Sequence, residues 1–125
     1  ALATEGEGFG IPILESMSCG VPNLTDDYAA GKELIEDSGA GFLIKSDAVT
    51  FRGSDNNYKR PSTSIDDLAE KMQWMFEHPE ERKEMGRKGR AYALTMSWDR
   101  FVHQWDRLIP QVMDMRSAPI EAEML

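Results

Sequence analysis

Over the first 45 residues, short apolar runs alternate with segments of helical period, and this limits the available folds more than any other feature. Ala1-Leu2-Ala3-Thr4 reads as the end of a strand that runs into a glycine-rich turn. With no initiator Met ahead of it, the chain is expected to be a C-terminal fragment of something longer. From Gly10 the period becomes helical: Ile11, Leu14 and Met17 recur every three residues and Ile13 widens the face. Pro12 suits the first turn, where its missing N–H costs nothing, and Gly20 stops the helix. Val21 to Thr25 reads as a short strand with Pro22 near its start, Ala29 to Glu36 as a second helix, and Gly41 to Ile44 as another strand. Strand, turn, helix, strand, helix, strand implies an α/β fold with a parallel sheet and crossover helices.

Residues 45–64 break the pattern. Gly, Ser, Asp, Asn and Pro dominate, with Phe51 and Tyr58 as the only large side chains. The segment is long for a plain connection and is expected to be a surface loop insertion, with a small hairpin around Val49–Arg52 or a substrate-contacting loop as the other readings. Beyond it the chain is helical. Ser64 and Asp67 have the spacing of a capping box, and Ile65, Leu68, Ala69, Met72, Met75 and Phe76 follow the spacing of a buried face. His78-Pro79 separates that helix from one running from Glu80 to about Met96. Ser97 caps a third helix with a long apolar seam through Trp98, Phe101, Trp105, Leu108 and Val112, which Pro110 is expected to kink. Residues 116–125 are expected to be a disordered tail.

Composition narrows the function. Lys and Arg number 14 against 22 Asp and Glu, a net charge of −8, which excludes a binder of nucleic-acid phosphates. The single cysteine, Cys19, excludes an internal disulfide framework and a multi-cysteine zinc site, and it reads as a packed small residue. No run has the length of a membrane span. His78 and His103 read as helix-boundary and helix-surface residues, with no metal implied. Arg82, Lys83, Arg87, Lys88 and Arg90, interleaved with Glu80, Glu81 and Glu84, read as a solvated face in preference to a membrane patch.

The chemistry lies in Glu5-Gly6-Glu7-Gly8-Phe9-Gly10-Ile11-Pro12-Ile13-Leu14-Glu15. Glycines at 6, 8 and 10 let backbone amides approach a ligand where a strand becomes a helix, and the first helical turn adds unpaired donors suited to a phosphate. Glu15, one turn inside, has the reach to accept two hydrogen bonds from a vicinal diol such as a ribose. The dinucleotide fingerprint fails, because Ile13 stands where its third glycine belongs. On spacing alone, a tight turn with two solvated glutamates fits as well.

The longer string Glu7-Gly-Phe-Gly-Ile-Pro-Ile-Leu-Glu15, followed by Ser-Met-Ser-Cys-Gly20-Val-Pro22, resembles the E-x7-E region of the retaining GT-B-fold glycosyltransferases of the group 1 (family 4) type. Glu33-Leu34-Ile35 with Gly41 to Ile44, Pro79-Glu80-Glu81-Arg82 with Gly86, and Ser97-Trp98 resemble later segments of that family, so the likeness spans residues 3–109. Asn23 departs from it, standing where an apolar residue is usual, and so does Lys32, standing where proline often precedes the glutamate.

The resemblance implies that residues 1–115 are the C-terminal half of a Rossmann-like parallel-sheet domain followed by closing helices. It implies that Glu15 binds the ribose of a UDP-, GDP- or ADP-sugar, and that amides around Gly8, Phe9, Gly10 and Ile11 face the diphosphate and donor sugar. Glu7 would hold a donor-sugar hydroxyl and stabilise charge at the anomeric carbon. Transfer would go with retention, to a carbohydrate or lipid-linked acceptor, without metal or other cofactor, in the cytoplasm or at the cytoplasmic membrane face. The family's phosphate-neutralising Arg and Lys lie upstream and its acceptor site lies in an N-terminal domain, so this chain alone is not expected to turn over. Two rival readings are a non-catalytic nucleotide or sugar-phosphate binding module and an interaction domain.

Overall fold

The computed structural model describes residues 1–3, 8–51 and 59–117, which fall into two compact units, one of Ala1–Leu94 and one that begins at Thr95. In the first unit, helix α1 (Ile11–Ser18) leads to strand β1 (Asn23–Asp26), helix α2 (Ala29–Ser38) and strand β2 (Gly41–Ile44). A hairpin of β3 (Ser46–Phe51) and β4 (Lys59–Thr63) follows, then helices α3 (Ile65–Glu77) and α4 (Pro79–Leu94).

β1 and β2 are parallel, with Asn23 opposite Gly41 and Asp26 opposite Ile44. Leu2 continues the sheet as a parallel bridge to Thr25, its amide donating to the Leu24 carbonyl at 2.7 Å. The expected order of strands and helices therefore holds, with boundaries moved by one or two residues. β1 begins after Pro22, which has no amide hydrogen to give to a ladder.

Helices cover both faces of this sheet. On one side Ile13 and Met17 of α1 and Leu34 and Ile35 of α2 bury against Ala40, with Leu2, Leu43, Tyr92 and Ala93 around them. On the other, Leu24 and Ile44 meet Met75 of α3, with Phe42, Leu68, Trp74 and Met85 around them. Each fully buried aliphatic side chain here contributes about 1.5–3 kcal/mol. The α1–α4 crossing is unusually close: a Cβ on Gly86 would lie 2.1 Å from the Gly20 carbonyl oxygen, and one on Gly89 2.9 Å from the Ala40 Cβ.

Several expectations need correction. Ile11 is exposed, so the buried line of α1 is Ile13 and Met17, with Leu14 half-buried. Cys19 is exposed, not packed. α3 turns only part of the expected face inward: Leu68 and Met75 face the core beside Asp67 and Trp74, while Ile65, Ala69, Met72 and Phe76 are solvent-exposed. Ser64 is the N-cap residue of α3, but its side chain makes no cap bond. Asp67 instead accepts from the Lys45 amide at 2.8 Å and is ion-paired with Lys71. These donors, the Lys71 hydrogen bond first, hold its carboxyl below the usual carboxylate range.

Residues 46–51 and 59–63, expected as a surface insertion with a small hairpin as another reading, form an antiparallel pair with Val49 opposite Pro61, and residues 52–58 between them lie outside the described residues. Asn23 is buried where the family pattern has an apolar residue, and hydrogen bonds compensate. Its amide side chain accepts from Ser16 Oγ at 2.6 Å and donates to the Val21 carbonyl at 3.1 Å.

Three basic residues of α4 have structural partners. Arg82 donates to the Met75 carbonyl (3.0 Å) and Arg90 to the Ser18 carbonyl (2.7 Å), each placing a cation at the C-terminal end of a neighbouring helix. Arg87 holds Glu84 through two bonds of 2.8 and 2.7 Å. His78 stacks on Trp74 at 4.2 Å, at the boundary between α3 and α4.

The second unit is α5 (Trp98–Ser117). Ser97 Oγ accepts from the Arg100 amide at 3.4 Å, as its capping role requires, and the helix runs on through Pro110. Trp98, Phe101 and Trp105 stack edge to face along one side. The helix continues to Ser117, past the expected start of the tail at 116, and residues 118–125 lie outside the described residues.

Candidate nucleotide-sugar site

Parallel strands send every following segment out of the same edge. Leu2 and Asp26 lie at the carboxyl ends of adjacent strands, the edge at which open α/β sheets bind ligands.

Gly10 is the hinge between turn and helix. It is the N-cap of α1 with φ 82° and ψ 37°, a left-handed conformation that costs an L-residue about 1–2 kcal/mol. It is buried, and a Cβ there would lie 2.7 Å from Leu34 Cδ1. Glycine is thus favoured by the backbone angle, and a Cβ would also displace the Leu34 side chain. The Gly10 carbonyl takes the amides of Ile13 (3.0 Å) and Leu14 (3.1 Å), closing the first turn. Pro12 has no amide hydrogen, so the donors that a helix cannot satisfy internally lie at Gly10 and Ile11, on the outer end.

The sequence-picked residues fall around that terminus. Gly8 has open space where a side chain would stand, and Phe9 and Ile11 are 62% and 58% exposed. Glu15 is exposed and lies four residues after Ile11, hence on the same outward face of α1, opposite buried Ile13 and Met17. Helical side chains lean toward the N-terminus, which directs Glu15 back along that face toward the turn. Glu7 lies outside the described residues. The structure therefore leaves Gly8, Phe9, Ile11 and Glu15 exposed at one end of α1, around a buried Gly10.

Lys32, the other departure from the family pattern, is held by Asp27 at 2.7 Å and Glu36 at 3.5 Å on the surface of α2. The bond to Asp27, then the charges of Asp27 and Glu36, raise its pKa above the usual lysine value. Among the described residues no cluster of three metal-binding side chains occurs, and no helix is long and apolar enough to cross a membrane.

Sequence reasoning passed over Asp26 and Ala29. Asp26 ends β1 only 3% exposed, with Oδ1 accepting from Thr63 Oγ1 at 2.7 Å. Ala29 opens α2 at φ 47°, in the left-handed region. A carboxylate at the end of a β-run, where apolar burial was expected to stop, was the available signal for Asp26.

Residues 1–50 match the family model described as glycosyl transferases group 1. The chain is also 29% identical over 110 residues to the Bacillus subtilis (strain 168) protein described as "Putative glycosyltransferase EpsD". That alignment takes in 87% of this chain but 24% of the relative, so the chain spans about a quarter of the relative's length. The family match covers the glycine turn, α1, the parallel strands and α2, which are the elements that build this edge. The chain is thus similar to the group 1 glycosyl transferases over the residues that build this edge.

Proposed function

We propose that this chain supplies part of the donor site of an enzyme that moves a sugar from a nucleotide-diphosphate sugar to an acceptor with retention of anomeric configuration. The observation that supports the reading best is the N-terminus of α1: a left-handed, buried Gly10 at the carboxyl edge of a parallel sheet, with Glu15 exposed one turn inside.

A diphosphate at that terminus meets backbone donors and the positive end of the helix dipole, which favour the negative charge that grows on the leaving group. Glu15 takes two ribose hydroxyls as hydrogen-bond donors and fixes the nucleotide. Glu7, carried over from the E-x7-E resemblance, holds a donor-sugar hydroxyl and stabilises positive charge at the anomeric carbon. Positioning and electrostatics then carry the reaction.

The acceptor, a carbohydrate or lipid-linked group, and the cations that neutralise the diphosphate would come from parts of the protein outside this chain. Stereochemistry is the test. The intact protein, given an α-linked nucleotide sugar, is expected to yield an α-linked product by proton NMR of the anomeric signal, and a β-linked product would overturn the assignment.

A further inference from the structure

α1 is a short helix, and its fully buried side chains, Ile13 and Met17, lie one turn apart in a single row. Apolar burial is non-directional, so that row fixes how closely the helix sits on the sheet but only weakly fixes its roll. Glu15 points away from the row, where roll moves a side chain most. At about 6 Å from the helix axis, a carboxylate travels roughly 1 Å for a roll of about 10°. That is enough to stretch a hydrogen bond of normal length beyond bonding distance. A donor site built on Glu15 therefore needs a directional contact that sets the roll of α1.

Asn23 supplies it. The residue opens β1, and its backbone belongs to the sheet, its amide donating to the Ala40 carbonyl at 2.8 Å. Its buried side chain belongs to the helix. Ser16 Oγ donates to Asn23 Oδ1 (2.6 Å), Asn23 Nδ2 donates to the Val21 carbonyl (3.1 Å), and the Val21 amide donates to the Ser16 carbonyl (3.0 Å). The three residues close a ring across the turn that joins α1 to β1. Among the described residues, the Ser16 bond is the one hydrogen bond that a side chain of α1 makes to the sheet. It lies on the flank of the buried row, next to Glu15 in the chain, where it resists roll. The ring needs asparagine: aspartate has no hydrogen to give Val21, and leucine, of similar shape, neither accepts nor donates.

We propose that the Ser16–Asn23 pair positions Glu15, by setting the roll of α1 at which the carboxylate meets both hydroxyls of the donor's ribose. The inference rests on the reading of Glu15 as the ribose-binding residue. Ser16 and Asn23 act through Glu15 and are positioning residues. Released from Asn23, the Ser16 hydroxyl falls back on the Ile13 carbonyl, 3.0 Å away, a bond within the helix that leaves roll free. Loss of the pair is thus expected to move Glu15 without unfolding α1.

The test is the preference of the intact protein for a ribose over a 2′,3′-dideoxyribose nucleotide. Calorimetric titrations use UDP, GDP and ADP, then the dideoxy form of whichever binds. Wild type is expected to bind the ribose form at least about tenfold more tightly, since a charged acceptor keeps its two donors only there. Asn23→Leu and Ser16→Ala are each expected to bring that preference below about threefold, and the double variant to go no further, because both break one interaction. Affinity for the dideoxy nucleotide should stay within about twofold throughout, although a general loosening of the domain would lower it. Ser16→Thr, which keeps the hydroxyl, should keep the preference. If Asn23→Leu does not fold, Ser16→Ala, which removes one half-buried hydroxyl, decides the question. A full ribose preference in Ser16→Ala overturns the positioning role, and losses that add in the double variant overturn the pair. A wild type that binds nucleotide without preferring ribose overturns the role of Glu15, and one that binds none of the nucleotides overturns the donor site. The inference falls with either.

Discussion

Replacing Gly86 by alanine is expected to destabilise the Ala1–Leu94 unit by about 3 kcal/mol or more, the upper range for overpacking. The added Cβ would sit 2.1 Å from the Gly20 carbonyl oxygen and 3.0 Å from its carbon. Both are backbone atoms, in the segment that joins α1 to β1, so no side-chain rotation relieves the contact. α4 must move away from α1, and the packing of Met17 against Gly89 loosens with it. For a domain of this size the loss corresponds to a fall in Tm of roughly 12–24 °C. Gly8→Ala is the control, since nothing lies within 4 Å of its added Cβ, and its Tm should stay close to that of the unchanged chain. Thermal melts followed by circular dichroism separate the two. A Gly86→Ala chain that melts like the unchanged one would show that α1 and α4 do not cross at this distance.

The second large effect is on turnover. If Glu7 stabilises charge at the anomeric carbon, Glu7→Gln keeps the size and the hydrogen-bonding capacity of the side chain but removes its charge. The intact protein is then expected to lose about 100–1,000-fold in kcat, the range found when a single electrostatic contact to a transition state is removed. Nucleotide affinity should hold within about twofold, because the nucleotide is assigned to Glu15 and the helix terminus, and an interaction confined to the transition state lowers kcat without weakening binding. Steady-state transfer rates beside a nucleotide titration give both quantities. Unchanged kcat would remove Glu7 from the mechanism. A parallel loss of nucleotide affinity would make it a binding residue.

What the sequence made legible was whatever rests on local chemistry. Gly10 ahead of the first helix, Pro12 in the first turn, and the apolar run of β2 each carry their structural reason within a few neighbours, and the structure places them as expected. The face of α3 was legible only at Leu68 and Met75. Ile65, Ala69, Met72 and Phe76 fit a helical apolar stripe, yet this side is exposed, with Ile65 and Phe76 at 77% and 76%. The inward side includes Asp67, whose carboxylate satisfies the Lys45 amide at the start of the hairpin, and Trp74, which meets Phe42 edge to face. Those partners lie 22 and 32 residues away along the chain, beyond the reach of any periodicity count.

The same holds at the edge of the sheet. Asp26 and Thr63 are 37 residues apart and carry no motif, so a carboxylate that joins sheet to hairpin reads in sequence as an ordinary turn residue. Gly86 and Gly89 read as two weak points in a helix. Their reason appears only once α1 lies across them. In each case long-range packing, not local propensity, set the role of the residue.

The central claim is that the N-terminus of α1, with Glu15, holds a nucleotide diphosphate. The most direct measurement is a two-dimensional amide NMR spectrum of this chain titrated with UDP, GDP and ADP, beside a Glu15→Ala variant. The account predicts dispersed peaks in which the amides of Gly8 to Glu15 shift progressively with one of the three nucleotides, and a loss of those shifts in the variant, which would also identify the base. A dispersed spectrum in which none of the three moves those amides, or in which Glu15→Ala shifts as the unchanged chain does, would contradict it.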